Sequence, residues 1–431
     1  MTSSIALAPA RWLCVNENAS VYGVYPRMLT CHAGVIRWAL LAVMASSVVA
    51  CTKSCRSPVS GRSSPCVVDV ITGGEATCLR LSDGSYRCRG ENDGDALTHG
   101  KWPGLSAPRP WVPMPSQLSS LHLSNGRTCG LDTQGVLWCS GRTNLTLETQ
   151  NETEPAPVPL RKFGSNIQAF DANRNNTCVV RDGAVYCMGL SAGPWDVAPI
   201  TGLPQGIRLV GVGTWFGCAA TQTEFFCWGQ QNWVEGPRLP NVRTALRFGT
   251  VQAGISQIAV SAHAGCVLSQ SHRVYCGGFS YSGEWGTGVF SRCEKESCPE
   301  YDFRSLHEVT ALSTPVTQLS AGAGTFCAVG IDHSVWCWGS NNSQLVSTSH
   351  EYDPKRIPVV DEPLPVRNAG LGTDNAEVRL GNSHACVKKL DGRIVCWGNN
   401  RYGQISDADC RLATCPPAEL SYDCEAAPSS P

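Results

Sequence analysis

Seven pairs of cysteines recur along this chain, eight or nine residues between the members of each pair, and no other feature restricts the fold as much. The pairs are Cys78 and Cys88, Cys129 and Cys139, Cys178 and Cys187, Cys218 and Cys227, Cys266 and Cys276, Cys327 and Cys337, and Cys386 and Cys396. Successive first cysteines lie 51, 49, 40, 48, 61 and 59 residues apart. Repeats of about 50 residues belong to propeller blades rather than to helical solenoids.

Turn chemistry fixes the register of each pair. In the third repeat Asp182-Gly183 is a two-residue hairpin loop, which sets Arg181 opposite Ala184 and Cys178 opposite Cys187. The seventh repeat is one residue longer, so Leu390-Asp391-Gly392 forms a three-residue loop with Gly392 at the left-handed position. Counting outward again places Cys386 opposite Cys396. Both cysteine pairs fall at non-hydrogen-bonded sites, where Cα atoms approach to about 4.5 Å, within reach of a disulfide. Free buried cysteines packing as small hydrophobes are the competing explanation.

The compartment decides between the two. The chain has 24 cysteines, and thiols stay reduced in the cytosol. Zinc would require C-x₂₋₄-C pairs within the repeats, which are missing. The 43 glycines and 27 prolines punctuate the whole length, and no helical periodicity outlasts them, so the composition reads as all-β. A formal net charge of -1 and a pI near 6.7 argue against a nucleic-acid partner.

An export signal points the same way. Arg37 is followed by an apolar run that ends Val48-Val49-Ala50-Cys51, too short for a bilayer span and suited to a signal-peptide core. The ending resembles a bacterial lipobox, in which Cys51 would be acylated and anchor the protein to a membrane of the cell envelope. An ordinary secretory signal or a buried strand are the alternatives. The expected organisation is a misassigned start over 1–27, a lipoprotein-type signal over 28–50 and a Ser/Pro/Arg-rich tether over 51–65. A seven-bladed propeller over 66–409 and a Cys/Pro-rich tail or ring closure over 410–431 follow.

The sixth repeat gives the blade. Val316–Ser320 reads as an inner strand, Thr325–Val329 and Ser334–Trp338 as a hairpin, and Ile357–Val360 as an outer strand, four short antiparallel strands in all. The run from Cys386 through Cys396-Trp397-Gly398 to Gln404 resembles the repeat of the regulator of chromosome condensation family, C-A-L-x-x-D-G-x-V-x-C-W-G-x-N-x-x-G-Q-L-G. Gly283-Glu-Trp-Gly286 and Ser343-Gln-Leu345 are similar tails. The resemblance covers about residues 66–405 and implies a seven-bladed propeller. It implies no single activity, because the family includes exchange factors, ligase appendages, inhibitors and adhesive modules.

The sequence has no H-E-x-x-H and no P-loop. His263 and His384 occupy repeat positions that read as blade packing. Asp83, Asp182 and Asp391 are turn residues, and Trp228, Trp338 and Trp397 should pack between blades. Asn92-Asp93-Gly94-Asp95 lacks the further ligands of a calcium loop. No cofactor is expected.

The longest insertion, residues 277–315, carries Tyr281, Trp285, Glu294, Glu296, Glu300 and Tyr301 and is the candidate binding loop, with Cys293 and Cys298 able to form a local bridge. The pairing of Cys55, Cys66, Cys410, Cys415 and Cys424 is left open, with a Cys66 link to the C-terminal trio as one arrangement. The expectation is a monomeric, non-enzymatic envelope lipoprotein that binds a protein or glycan, as an adhesin or inhibitor. A propeller-hosted polysaccharide lyase or hydrolase is the alternative, and a guanine-nucleotide exchange factor a more distant one.

Overall fold

Each hairpin closes on its cysteines. In the computed structural model Cys178 faces Cys187 and Cys386 faces Cys396, as the turn lengths require. Asp182 and Gly183 take φ values of 54° and 73°, the signature of a two-residue I′ turn, and Gly392 takes 85°. All seven pairs are disulfides with Cα–Cα distances of 4.0–4.1 Å, the narrow antiparallel pairing. The described residues are 67–91, 97, 112–114, 118–124, 126–173, 175–189, 193–229, 243–291, 303–347, 361–406, 414–420 and 422, except 143–152 and 174. All lie in one unit, Val49–Pro431.

The hairpins are the middle of seven four-stranded antiparallel sheets, each built from consecutive strands. The inner strands are β1 (Val67–Gly73), β5 (Leu118–Ser124), β9 (Ala169–Ala172), β13 (Leu209–Val212), β17 (Ile255–Val260), β21 (Val316–Ala321) and β25 (Asn375–Leu380). Each inner strand touches the next, and β25 touches β1, so the ring is closed blade against blade. Seven hydrophobic clusters fill the seven boundaries. The chain is a seven-bladed β-propeller.

Two boundaries differ from expectation. The outer strand of the sixth blade, β24, is Glu362–Arg367, while Ile357–Val360 lies outside the described residues. Its Pro363 and Pro365 sit on an outermost strand, where a missing N–H costs no ladder bond on the solvent side. The outer strand of the seventh blade, β28, is Thr414–Glu419, paired to β27 (Ile394–Asn399), so the propeller extends past 409 into the segment expected as a tail or ring closure. Cys415 lies in this strand and is disulfide-bonded.

At three blade boundaries a loop carbonyl is capped by the residue after the second cysteine. The indole N–H groups of Trp338 and Trp397 donate to Glu284 O at 2.9 Å and Leu345 O at 3.1 Å of the preceding blade. At the closing boundary Arg89 takes the same place, and its Nε donates to Gly403 O at 2.5 Å. Trp228, Trp338 and Trp397 are each buried at 1% exposure or less, within boundary clusters.

Candidate functional site

The inner strands present their residues to the channel in register. Opposite the first cysteine of each blade stand Ile71, His122, Asp171, Gly211, Ala259, Ser320 and Arg379. The flanking residues one step away, such as Val70, Leu121, Val378 and Leu380, are apolar and belong to the boundary cluster with the preceding blade. Period-2 alternation thus sends apolar side chains backward into the core and polar ones forward.

The forward-facing polar groups satisfy the open edge of the next inner strand, which a sheet edge would otherwise leave bare. Gln318 accepts from Val378 N at 2.9 Å and donates to Val378 O at 3.0 Å. Ser320 accepts from Leu380 N at 3.1 Å, and Asp171 from Val212 N at 2.7 Å. Glycine is required where blades meet most closely: a Cβ on Gly213 would stand 1.7 Å from Ser261 O, and one on Gly73 2.0 Å from Leu123 O.

The strands enclose a channel of about 490 Å³ whose charged groups fall on one side, on blades seven, one, two and three. His122 Nδ1 donates to Asp171 Oδ1 at 2.8 Å, and Arg379 pairs with Glu377 at 2.6 Å. Burial pulls the His122 imidazole down, but the charge and hydrogen bond of Asp171 outweigh it and hold the group above its usual value. Asp69 and Arg80 also line this side. This His–Asp pair escaped the sequence reading, since only the register of β5 and β9 brings residues 122 and 171 together.

On the side of the β17–β18 turn, β18 being Ala264–Ser269, blade five carries an aromatic run. His263 meets Tyr281 edge-on at 5.4 Å, Tyr281 stacks on Phe279 at 5.5 Å, and Phe279 stacks on Phe303 at 5.0 Å. Arg304 caps the run 5.2 Å over Phe303. Burial lowers the His263 pKa, and burial with the Glu284 charge raises that of Tyr281.

Of the expected binding-loop residues, Tyr281 stands in this run, partly exposed. Trp285 does not face a partner. It is 2% exposed, its Nε1 donates to Gly278 O at 2.9 Å, and it packs in the boundary cluster of blades five and six. Its position in the turn places it where Leu97 and Ile405 are buried in their own blades, so it fills core. Glu294, Glu296, Glu300, Tyr301, Cys293 and Cys298 lie outside the described residues, as do Cys51, Cys55, Cys66, Cys410 and Cys424. Among the described residues no cluster of His, Cys, Asp and Glu could hold a metal.

The closing boundary has its own polar cluster. Glu75 accepts from Ser383 Oγ and, at 2.9 Å, from Gln404 Nε2. Burial pushes its carboxyl up to about 7 despite these bonds, with the Glu91 charge adding. His384 is fully buried and held down to about 4, its Nε2 2.9 Å from Thr77 Oγ1.

Blades stapled by a disulfide at each hairpin, around a polar channel, define a disulfide-reinforced repeat propeller. The family model of the regulator of chromosome condensation (RCC1) repeat matches residues 316–344 and 376–404, in blades six and seven. It is 26% identical over 155 residues to the human probable E3 ubiquitin-protein ligase HERC6, a match covering 35% of this chain and 14% of that relative. It is 24% identical over 104 residues to the Arabidopsis thaliana mitochondrial RCC1 domain-containing protein RUG3, covering 24% of this chain and 22% of RUG3. The chain therefore aligns with less than a quarter of each relative's length.

Two solved structures share the fold. Prp20p of Saccharomyces cerevisiae has a TM-score of 0.58 at 16% identity, over 73% of this chain and 80% of Prp20p. Human WBSCR16 has a TM-score of 0.54 at 15% identity, over 77% and 91%.

Proposed function

We propose that this protein is a non-enzymatic binding scaffold of the bacterial cell envelope, anchored through an acylated Cys51, whose loop face grips a protein or glycan in the manner of an adhesin or inhibitor. The carrying observation is the disulfide in every blade, which fits an oxidising compartment. Protein binding has a precedent in the fold: the structure of Prp20p was described with its binding to Gsp1p and histones. The aromatic run ending in Arg304 supplies residue types that anchor interfaces. The test is capture from envelope extracts on the intact chain, compared with a Tyr281→Ala, Phe303→Ala variant. A partner retained equally by both would place the interface elsewhere, and no partner at all would sink the reading. Cys51→Ala should release the protein from the membrane fraction.

One observation favours a polysaccharide lyase or hydrolase instead. His263, whose lowered pKa favours the neutral base form, lies against Tyr281 on the loop face. Unsaturated sugar ends released from acidic polysaccharides, and lost in His263→Ala, would establish the lyase; new saturated reducing ends lost in the same variant would establish the hydrolase.

A further inference from the structure

We propose that the central channel binds a small oxyanion, a carboxylate or phosphate group, between His122 of blade two and Arg379 of blade seven. Both residues pair with the first cysteine of their blade, so they stand at one height in the ring, on either side of blade one. Both line the same cavity of about 490 Å³. Each is held by a carboxylate: Asp171 takes His122 Nδ1, with the Ala172 backbone also bonded to the imidazole, and Glu377 takes Nη2 of Arg379 and leaves the rest of its guanidinium fork.

The carboxylates are turned to other work. Asp171 accepts from Val212 N at 2.7 Å and Ala172 N at 2.7 Å as well as from His122, and only 18% of its side chain is exposed, against 47% for His122. Asp69 accepts from Val70 N at 2.8 Å. Arg80, beside Asp69 on β2 (Ala76–Leu81), adds a third cation to this side. Blades four, five and six offer Gly211, Ala259 and Ser320 at the same height, which leave room for a ligand and bring no charge. The Arg379 charge bears on His122 across this gap, so an anion between them relieves a repulsion while gaining charge-assisted hydrogen bonds.

The anion keeps His122 protonated, so binding should strengthen as pH falls through the raised imidazole pKa and weaken above it. Asp69, Asp171, Glu377 and Arg80 are the other charged groups on this side of the channel.

The experiment is calorimetric titration of the whole protein with inorganic phosphate and, separately, with malonate, below and above neutrality. The expected result is saturable one-site binding, which for malonate, a dianion at both pH values, weakens at the higher pH. Arg379→Met and His122→Gln should each lose about tenfold or more in affinity, the scale of one charge-assisted hydrogen bond. Arg379→Lys keeps the charge and should retain most of the binding. Arg273→Met, on the exposed Glu308 pair outside the channel, should change nothing. Phosphate binding without malonate would narrow the ligand to phosphoryl groups, and the reverse to carboxylates. Absence of saturable binding in the wild type, or equal binding by Arg379→Met, would overturn the proposal. Unchanged thermal unfolding of the variants separates lost binding from lost fold.

Discussion

His333 and Asn375 hold each other across the boundary between blades six and seven. Asn375 donates from its backbone N–H at 3.3 Å and from Nδ2 at 2.8 Å to the His333 carbonyl, and His333 Nδ1 donates to the Asn375 carbonyl at 3.0 Å. His333 sits at the hairpin position where other blades use glycine, with φ of 60°. His272 repeats the device one blade earlier, with φ of 65° and Nδ1 2.9 Å from Val316 O. A left-handed histidine costs backbone energy that a glycine does not, and the cross-blade bond is what offsets it.

The two contributions separate by substitution. His333→Ala keeps the strained backbone and loses the ring bond, so it should destabilise by about 1–2 kcal/mol. His333→Gly loses the bond but relieves the strain and should cost less than His333→Ala. Urea midpoints of the two variants check the order; a larger loss in His333→Gly would show that the backbone is unstrained there.

The disulfides reinforce blades individually. Cysteine sulfurs in all seven hairpins belong to residues exposed by 1% or less, so reductant should reach them only after a blade opens. Replacing Cys327 and Cys337 together by alanine should cost about 2–3 kcal/mol, the loop-entropy value for so short a loop. Equilibrium unfolding with and without reductant measures it. With reductant present under native conditions, labelling of the hairpin cysteines should remain slow in the wild type.

The ring-closing boundary carries two opposed pH dependences. Glu75 binds its proton more tightly folded, with a pKa near 7 against 4.5, so its contribution is full below pH 4.5 and lost as pH rises to 7. His384 is held neutral, near 4 against 6.5, so its contribution is full above pH 6.5 and lost as pH falls towards 4. The slopes oppose each other between these values. Glu75→Gln should expose a stability that rises with pH, and His384→Gln one that falls with it. Urea midpoints from pH 4 to pH 7 in the three proteins distinguish these signs.

The hairpins were legible in the sequence because turn residues and cysteines are local: Asp182-Gly183 alone places Cys178 opposite Cys187. Trp338 and Trp397 were legible for the same reason, by their fixed place after a cysteine. The outer strands were not, since Glu362–Arg367 is rich in proline and its pairing is set by the neighbouring strand rather than its own propensity. Trp285 was misread because a tryptophan in a long insertion looks exposed until the turn that buries it is known. The channel pairing of His122 with Asp171 joins residues 49 positions apart through the register of two blades, which no local pattern encodes.

Arg127 offers the sharpest test of how the boundaries are balanced. It lies two residues before Cys129, where blade three has Asn176 and blade seven His384. Asn176 Nδ2 donates to Gly213 O and Thr214 O at 2.9 Å, and His384 reaches Thr77. Arg127 is 1% exposed, yet among the described residues its Nε and Nη1 meet no acceptor and its Nη2 reaches only Cys139 Sγ at 3.7 Å. Burial lowers its pKa to about 10, which leaves it charged at neutral pH. A buried cation without a carboxylate is a net loss that an apolar side chain of similar length avoids. Arg127→Met should therefore raise stability, by about 1–4 kcal/mol, while Arg127→Ala, which opens a cavity, should gain less or lose. Urea unfolding of both variants decides it: a lower midpoint in Arg127→Met than in wild type would mean that the guanidinium is compensated in solution.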